Sequence, residues 1–241
     1  MSAFVDLHCH YLPGIDDGAR TREDGLEMLR GLGAVGYARV VATPHIRTAM
    51  FDNRRPGLEA AYAAFAERAA GLDGLPATGL GAEHYLDDVF WSLFVEGAHL
   101  PYPGGRAALV EMPYDRLPAR VEHRLFEMQV RGVRPVIAHP ERCSPLYRST
   151  DPLDPLLEVG AVALLDLMSL IGRYGRRPEQ AALRMLEEGV YYAACTDAHR
   201  PSDVPLVAEA IAKLRELVDA EEVEELLELG PLDILDGTVE P

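Results

Sequence analysis

Residues 3–10 read Ala3-Phe4-Val5-Asp6-Leu7-His8-Cys9-His10, and Asp16-Asp17-Gly18 follows within a turn. The apolar run from Ala3 to Leu7 reads as a buried strand, and residues two apart on a strand point to the same side. His8 and His10 can therefore aim both imidazoles at one point, with two carboxylates close behind. Nitrogen and oxygen donors converging this way read as a metal site. Cys9, between the histidines, faces away and reads as a buried apolar thiol.

Working outward, the same kind of run recurs. Strand candidates are Ala3–His8, Arg39–Pro44, Ala77–Glu83, Ala107–Met112, Pro135–His139, Val162–Leu167 and Tyr191–Thr196. Apolar residues at helical spacing fill Glu23–Val35, Pro56–Gly71, Arg120–Arg131, Gln180–Glu188 and Val204–Leu217. Gly132 and Gly189 sit where helices should stop. Strand-then-helix repetition predicts an α/β fold of parallel strands joined by right-handed crossovers, closed or doubly wound. Nothing divides the chain, so residues 1–241 read as a single domain.

The polar residues able to bind metal fall at the C-terminal ends of these strands, where parallel β/α folds carry their active sites. They are His8, His10, Asp16, His45, Glu83, Glu111, His139, Asp197 and His199. Four donors satisfy one tetrahedral ion, so this set predicts two or three ions with a bridging carboxylate. Imidazole and carboxylate without thiolate suit Mn, Fe or Zn. Such a centre suits phosphate-ester hydrolysis, with a metal-generated hydroxide as nucleophile. Arg142, three residues past His139, reads as a phosphate clamp because a guanidinium fork fits phosphate oxygens. Arg47 and Arg200, which also flank histidines, read as salt-bridging residues.

The bulk numbers narrow the function classes. The chain has 241 residues, 48% hydrophobic and 26% charged, with a net charge of −16. Nucleic acid and anionic membranes reward basic patches, so neither is an expected partner. Three widely spaced cysteines and no CxxC pair suit a reducing compartment. The N-terminus shows no signal-peptide pattern and no run approaches a membrane span, so the protein reads as cytoplasmic. Oligomeric state is left open.

Together these residues resemble the polymerase-and-histidinol-phosphatase (PHP) superfamily, and more closely its bacterial protein-tyrosine phosphatase branch, which accompanies capsule and exopolysaccharide tyrosine kinases. The strings that carry the resemblance are Phe4–Ala19, Ala42-Thr-Pro-His45, Gly81-Ala-Glu83, Val110-Glu-Met-Pro113, Ile137-Ala-His-Pro-Glu-Arg142, Ser169–Gly175 and Thr196-Asp-Ala-His199. The closing segment Pro231–Gly237 matches as well. The resemblance implies a distorted seven-stranded (β/α)7 TIM-like barrel and three divalent metal ions, manganese first, with iron or zinc as alternatives. It implies one ion on His8, His10, Glu83 and Asp197, a second on Glu83, Glu111 and His139, and a third on Asp16, His45 and His199. Arg142 would grip the phosphate.

The chain departs from the branch at 46–55, where Ile46-Arg-Thr-Ala-Met-Phe-Asp-Asn-Arg-Arg55 replaces a short stretch with Gly and Tyr. It departs again at Leu165-Asp166-Leu167-Met168, and Thr196 stands for the commoner serine. The first loop should border the pocket and bear on substrate preference.

The expected reaction is hydrolysis of phosphotyrosine on a protein, a tyrosine kinase tail or an exopolysaccharide-pathway protein, with attack by a metal-bridging hydroxide. Asp16, Asp17 or a nearby histidine is the expected proton donor to the leaving group, although a tyrosyl phenolate needs little help. A thiol mechanism needs arginine six residues past the cysteine, whereas Cys9, Cys143 and Cys195 are followed there by Ile15, Ser149 and Pro201. The alternatives are a small-molecule phosphatase of the histidinol-phosphatase type and a metal-bound module that binds phosphotyrosine without turnover.

Overall fold

The computed structural model describes residues 3–239, in which strands and helices alternate. β1 (Phe4–Cys9) leads into α1 (Arg22–Val35), β2 (Tyr37–Ala42), β3 (His45–Ile46) and α2 (Arg55–Ala69). β4 (Ala77–Leu80), β5 (Glu83–Tyr85), α3 (Asp88–Val95), β6 (Ala107–Glu111), α4 (Val121–Val130) and β7 (Arg134–Ala138) follow. The last part runs α5 (Asp154–Glu158), β8 (Val162–Asp166), α6 (Arg176–Glu187), β9 (Tyr191–Cys195), α7 (Val204–Leu217), α8 (Ala220–Glu224) and α9 (Gly230–Asp236). A capping box between Thr21 and Asp24 starts α1, satisfying amide groups that have no partner in the first turn.

The strands form two parallel sheets, β1-β2-β4 and β3-β5-β6-β7-β8-β9. The described residues thus hold nine strands in two sheets instead of seven in one barrel, because two expected strands are each broken. Arg39–Pro44 stops at Ala42 and resumes at His45, since Pro44 has no N–H for the ladder. Ala77–Glu83 stops at Leu80 and resumes at Glu83, past Gly81, where a Cβ would lie 3.2 Å from the Tyr102 ring. Backbone bonds span the breaks: Thr43 N–H donates to Cys9 O (3.0 Å) and Gly81 N–H to Ala42 O (2.8 Å). The breaks also set His45 and Glu83 side by side as register partners. At the far end, His10 N–H donates to Ala198 O and Asp197 N–H to His8 O, both at 2.9 Å, which ties β1 to the chain leaving β9.

Alternation along the strands divides the core. Val5, Leu7, Val41, Leu109, Val136, Leu164 and Ala193 pack in an inner cluster, joined by Ile234 and Leu235 of α9. Their neighbours Phe4, Val40, Ala108, Val110, Ile137 and Ala163 pack outward with the helices. No helix among the described residues is long and apolar enough to cross a membrane.

Candidate metal centre

β1 delivers His8, and His10 just past its end, through a fault in its ladder. Asp6 pairs with Val40 and Cys9 with Ala42, so β1 carries one extra residue between them. Such a bulge re-aims side chains. Leu7 stays in the inner cluster, Cys9 moves to the outer one, and His8 and His10 face the same point. Asp6 braces the fault by accepting from His8 N–H (3.2 Å), Thr196 N–H (3.0 Å) and the Thr196 hydroxyl (2.6 Å).

Four donor atoms close on that point. His8 Nε2 lies 3.1 Å from His10 Nε2, 3.3 Å from Glu83 Oε2 and 3.1 Å from Asp197 Oδ1. His10 Nε2 lies 3.6 Å from Glu83 Oε2 and 3.3 Å from Asp197 Oδ1. His8, His10 and Asp197 bring one donor atom each within 4.8 Å of one another, the spacing of donors that share an ion, and Glu83 Oε2 adjoins this trio through its two imidazoles. The backbone is bent to achieve this: His139 (φ 33°) and Asp197 (φ 46°) both adopt the left-handed region unusual for side-chain-bearing residues.

Further donors adjoin. Glu83 Oε1 lies 3.1 Å from His139 Nε2, and Glu83 Oε2 lies 2.7 Å from His45 Nδ1. His45, Glu83 and Glu111 bring one donor atom each within 4.8 Å of one another, as do His8, Glu83 and His139. Glu83 therefore belongs to both sets, whereas the expected trio of Glu83, Glu111 and His139 is divided between them. A further group joins His10, Asp17, His45 and His199. Here the arrangement differs from the expectation that Asp16 joins His45 and His199. Asp17 Oδ1 faces both rings, at 3.4 and 3.5 Å. Asp16 turns inward and accepts from His10 Nδ1 (2.8 Å), Gly18 N–H (3.0 Å) and His45 N–H (3.1 Å). This carboxylate fixes the orientation of the His10 ring, as carboxylates behind histidines do in metal sites. Gly18 permits the turn, since a Cβ there would run into the His10 carbonyl.

The donor set fits divalent cations. Glu83 Oε2, Glu111 Oε2 and Asp197 Oδ1 are buried without a well-aligned hydrogen-bond donor. Burial would raise the carboxyl of Glu83, but His45 and His8 hold it well below its usual range; His8 and His199 do the same for Asp197. Burial alone would lower His45, yet Glu83 and Asp17 lift it to about 12. Glu111, buried and facing Glu83, is pushed up to about 7. Burial and nearby Arg142 lower His139 to about 4, leaving a neutral imidazole able to ligate. Cations bound here would replace the protons that now offset these carboxylates.

Arg142 borders the cluster. Its guanidinium donates to Asp197 Oδ2 (2.6 Å) and to the Tyr114 hydroxyl (2.7 Å), and lies 3.5 Å from Asp166 Oδ2. The rings of Tyr174 and Tyr114 flank it at 4.3 and 5.1 Å. Sequence reasoning missed Tyr114, Tyr174 and Asp166. The last carried a usable signal, being an acid at the end of a strand. The expected proton donors Asp16 and Asp17 are both held below the ordinary carboxyl range. Burial opposes this at Asp16, where His10 prevails; at Asp17 hydrogen bonding from His199 and His45 is the main cause. All three cysteines are buried, and burial pushes their thiols up, Cys143 to about 12.

Fold and site define a class: parallel β/α proteins with a buried histidine–carboxylate centre at the C-terminal strand ends. The chain belongs to the CpsB/CapC family of capsular polysaccharide synthesis, whose profile matches residues 4–236. It is similar to the tyrosine-protein phosphatase YwqE of Bacillus subtilis (strain 168), with 30% identity over 196 residues, covering 81% of this chain and 77% of that protein. Its structure is similar to that solved for YwqE from Bacillus subtilis and CpsB from Streptococcus pneumoniae, described as metal-dependent tyrosine phosphatases (TM-score 0.87, 27% identity, 96% of this chain and 94% of that one). The phosphotriesterase homology protein of Escherichia coli shares the fold alone, at 14% identity and TM-score 0.62 over 97% of this chain and 99% of that one.

Proposed function

We propose that this protein is a metal-dependent phosphatase that hydrolyses phosphotyrosine on proteins. The observation that carries this reading is the buried donor cluster of His8, His10 and Asp197 with Glu83 beside both imidazoles, and with Arg142 on the other oxygen of Asp197. Its family membership and its likeness to tyrosine phosphatases support the same substrate class. A phosphorylated tyrosine kinase tail is the partner we favour.

We assign one ion to His8, His10, Glu83 and Asp197, a second to Glu83, Glu111 and His139, and a third to His45 and His199 with Asp17, manganese being favoured. Bound divalent ions supply a nucleophilic water near neutral pH and positive charge for the phosphoryl oxygens. Around them, Arg142 receives a phosphate oxygen through its planar fork, which Tyr174 and Tyr114 hold in place. Asp16 keeps the His10 ring fixed. His199 Nδ1–H donates to Asp197 O (2.7 Å), which turns its Nε2 toward Asp17 (3.5 Å). The leaving phenolate, with a conjugate-acid pKa of about 10, departs far more readily than an alkoxide, so ionised Asp16 and Asp17 suffice beside it. We read β2/β3 and β4/β5 as two broken strands of a distorted seven-stranded barrel, and residues 1–241 as one phosphoesterase unit.

Phosphate release from a phosphotyrosyl peptide, compared with histidinol phosphate and with manganese, iron or zinc added back, tests this. Turnover of the peptide by the manganese form is expected. Preference for histidinol phosphate would make the protein a small-molecule phosphatase, and tight peptide binding without release would make it a binding module.

A further inference from the structure

Arg47 was expected to be a salt-bridging residue of the loop after His45, but its surroundings point elsewhere. β3 and β5 pair His45 with Glu83 and Ile46 with His84, and β5 and β6 pair Tyr85 with Glu111. Extending the first register by one step sets Arg47 opposite Tyr85. Because side chains alternate along strands, this row lies on the face that carries His45 and Glu83, one layer nearer the mouth. The contacts agree. The Arg47 guanidinium lies 4.2 Å over the Tyr85 ring, and its Nη1 is 3.8 Å from Glu111 Oε2.

The loop is built to hold it there. Arg47 N–H donates to Phe51 O (3.0 Å) and Phe51 N–H to Arg47 O (2.7 Å), closing a tight turn. Phe51 lies parallel to the His45 ring, with centroids 5.2 Å apart and planes at 8°. The Asn53 side chain donates to His45 O (2.8 Å) and Ile15 O (3.1 Å). Arg47 itself is only 28% exposed.

At 3.8 Å the pair with Glu111 is too long for a hydrogen bond, and Glu111 Oε2 stays without a partner. The guanidinium therefore keeps donors to offer. A cation this close to a proposed ligand carboxylate weakens that ligand's hold on a metal ion unless an anion lies between them. Beyond Glu111 the rim continues through Tyr114, which faces the Glu111 carboxyl and accepts from Arg142 at 2.7 Å. The two arginines thus stand at the ends of one arc, Arg47–Glu111–Tyr114–Arg142, along the edge of the cluster.

We propose that Arg47 is a second substrate-binding guanidinium, which takes a phosphoryl oxygen from the Glu111 side while Arg142 takes another from the Asp197 side. This rests on the phosphatase reading, and it identifies loop 46–55 as part of the phosphate site.

The test is calorimetric titration of inorganic phosphate into manganese-loaded wild type, Arg47→Ala and Arg47→Lys, with manganese content measured on the same samples. Arg47→Ala should weaken phosphate binding at least fivefold at unchanged manganese content, and Arg47→Lys should recover part of the loss by restoring charge without the fork. A loss smaller than fivefold overturns the proposal, as does wild type that takes up no phosphate. Loss of manganese from Arg47→Ala also overturns it, since Arg47 would then only position Glu111. Wild type that binds phosphate but releases none from a phosphotyrosyl peptide refutes the hydrolase reading and leaves this measurement interpretable.

Discussion

Asp197 serves two neighbours at once: Oδ1 lies 3.1 Å from His8 Nε2, and Oδ2 lies 2.6 Å from Arg142 Nη1. One carboxylate so fixes the guanidinium relative to the donor cluster. Arg142→Ala should lower kcat/KM on a phosphotyrosyl peptide by about 10²–10³, the size of effect seen when a preorganised charge stabiliser is removed. Arg142→Lys should recover little, because an ammonium lacks the planar fork held between Tyr114 and Tyr174. A drop smaller than tenfold in Arg142→Ala would count against a phosphate-gripping role.

Glu83 lies within 3.6 Å of His8, His10, His45 and His139, so its loss removes a donor from every set it joins. Glu83→Ala should lose bound metal and activity together. Chelation of the wild type should abolish turnover, and adding manganese back should restore it. Metal binding also stabilises the folded state, by about 2.7 kcal/mol when free metal is a hundred times Kd. Thermal melts with and without manganese should therefore separate by several degrees in wild type and far less in Glu83→Ala.

The thiols supply a contrasting expectation. Cys9 and Cys195 are fully buried and donate to the carbonyls of Ala198 and Leu165, while Cys143 donates to Pro113 O. With all three changed to serine, kcat on the peptide should stay within about threefold of wild type in the manganese form. Stability should fall by about 1–3 kcal/mol per fully buried site, the cost of burying a hydroxyl with imperfect partners. Loss of turnover in a folded, metal-loaded triple variant would revive a thiol mechanism.

Much of this site was legible because strand ends punctuate the sequence: each of His45, Glu83, Glu111 and His139 closes an apolar run. The less legible features depend on distant packing. Nothing local announces that β1 carries a bulge, yet that bulge turns Cys9 outward while His8 and His10 converge. The choice between Asp16 and Asp17 turns on which carboxylate the Gly18 turn folds inward. The broken strands were hidden because Thr43-Pro44 and Gly81-Ala82 lie inside runs whose composition reads as continuous. Helix α3 was missed because its apolar face is crowded with aromatic residues, Phe90, Trp91 and Phe94, which suit strands as well.

Loop 46–55 carries one local strain. Ala49 has φ 64°, a conformation that costs a side-chain-bearing residue about 1–2 kcal/mol. Glycine relieves that cost but loses about 0.5–1 kcal/mol of backbone entropy on folding. Ala49→Gly should therefore stabilise the protein by up to about 1 kcal/mol in denaturant melts. Because the turn that places Arg47 and Phe51 is retained, kcat/KM should change little. Clear destabilisation would mean that the loop does not adopt this turn.

Asp6 offers the sharpest test of how β1 and β9 are joined. Its buried carboxylate accepts the His8 N–H, the Thr196 N–H and the Thr196 hydroxyl, so removing it leaves three buried donors without their acceptor. Each such group costs about 1–3 kcal/mol. Asp6→Ala should lose several kcal/mol of stability and, with His8 no longer braced, bind manganese more weakly. Asp6→Asn keeps one acceptor oxygen but brings two new N–H donors into the same buried space, so it should fall between Asp6→Ala and wild type. Thr196→Ser keeps the hydroxyl and should leave metal binding intact, whereas Thr196→Val removes one donor to Asp6 and the acceptor of Ala198 N–H (3.1 Å) and should cost less than Asp6→Ala. Equal stability of Asp6→Ala and wild type, read from denaturant melts, would show that the bulge is held by something other than this carboxylate.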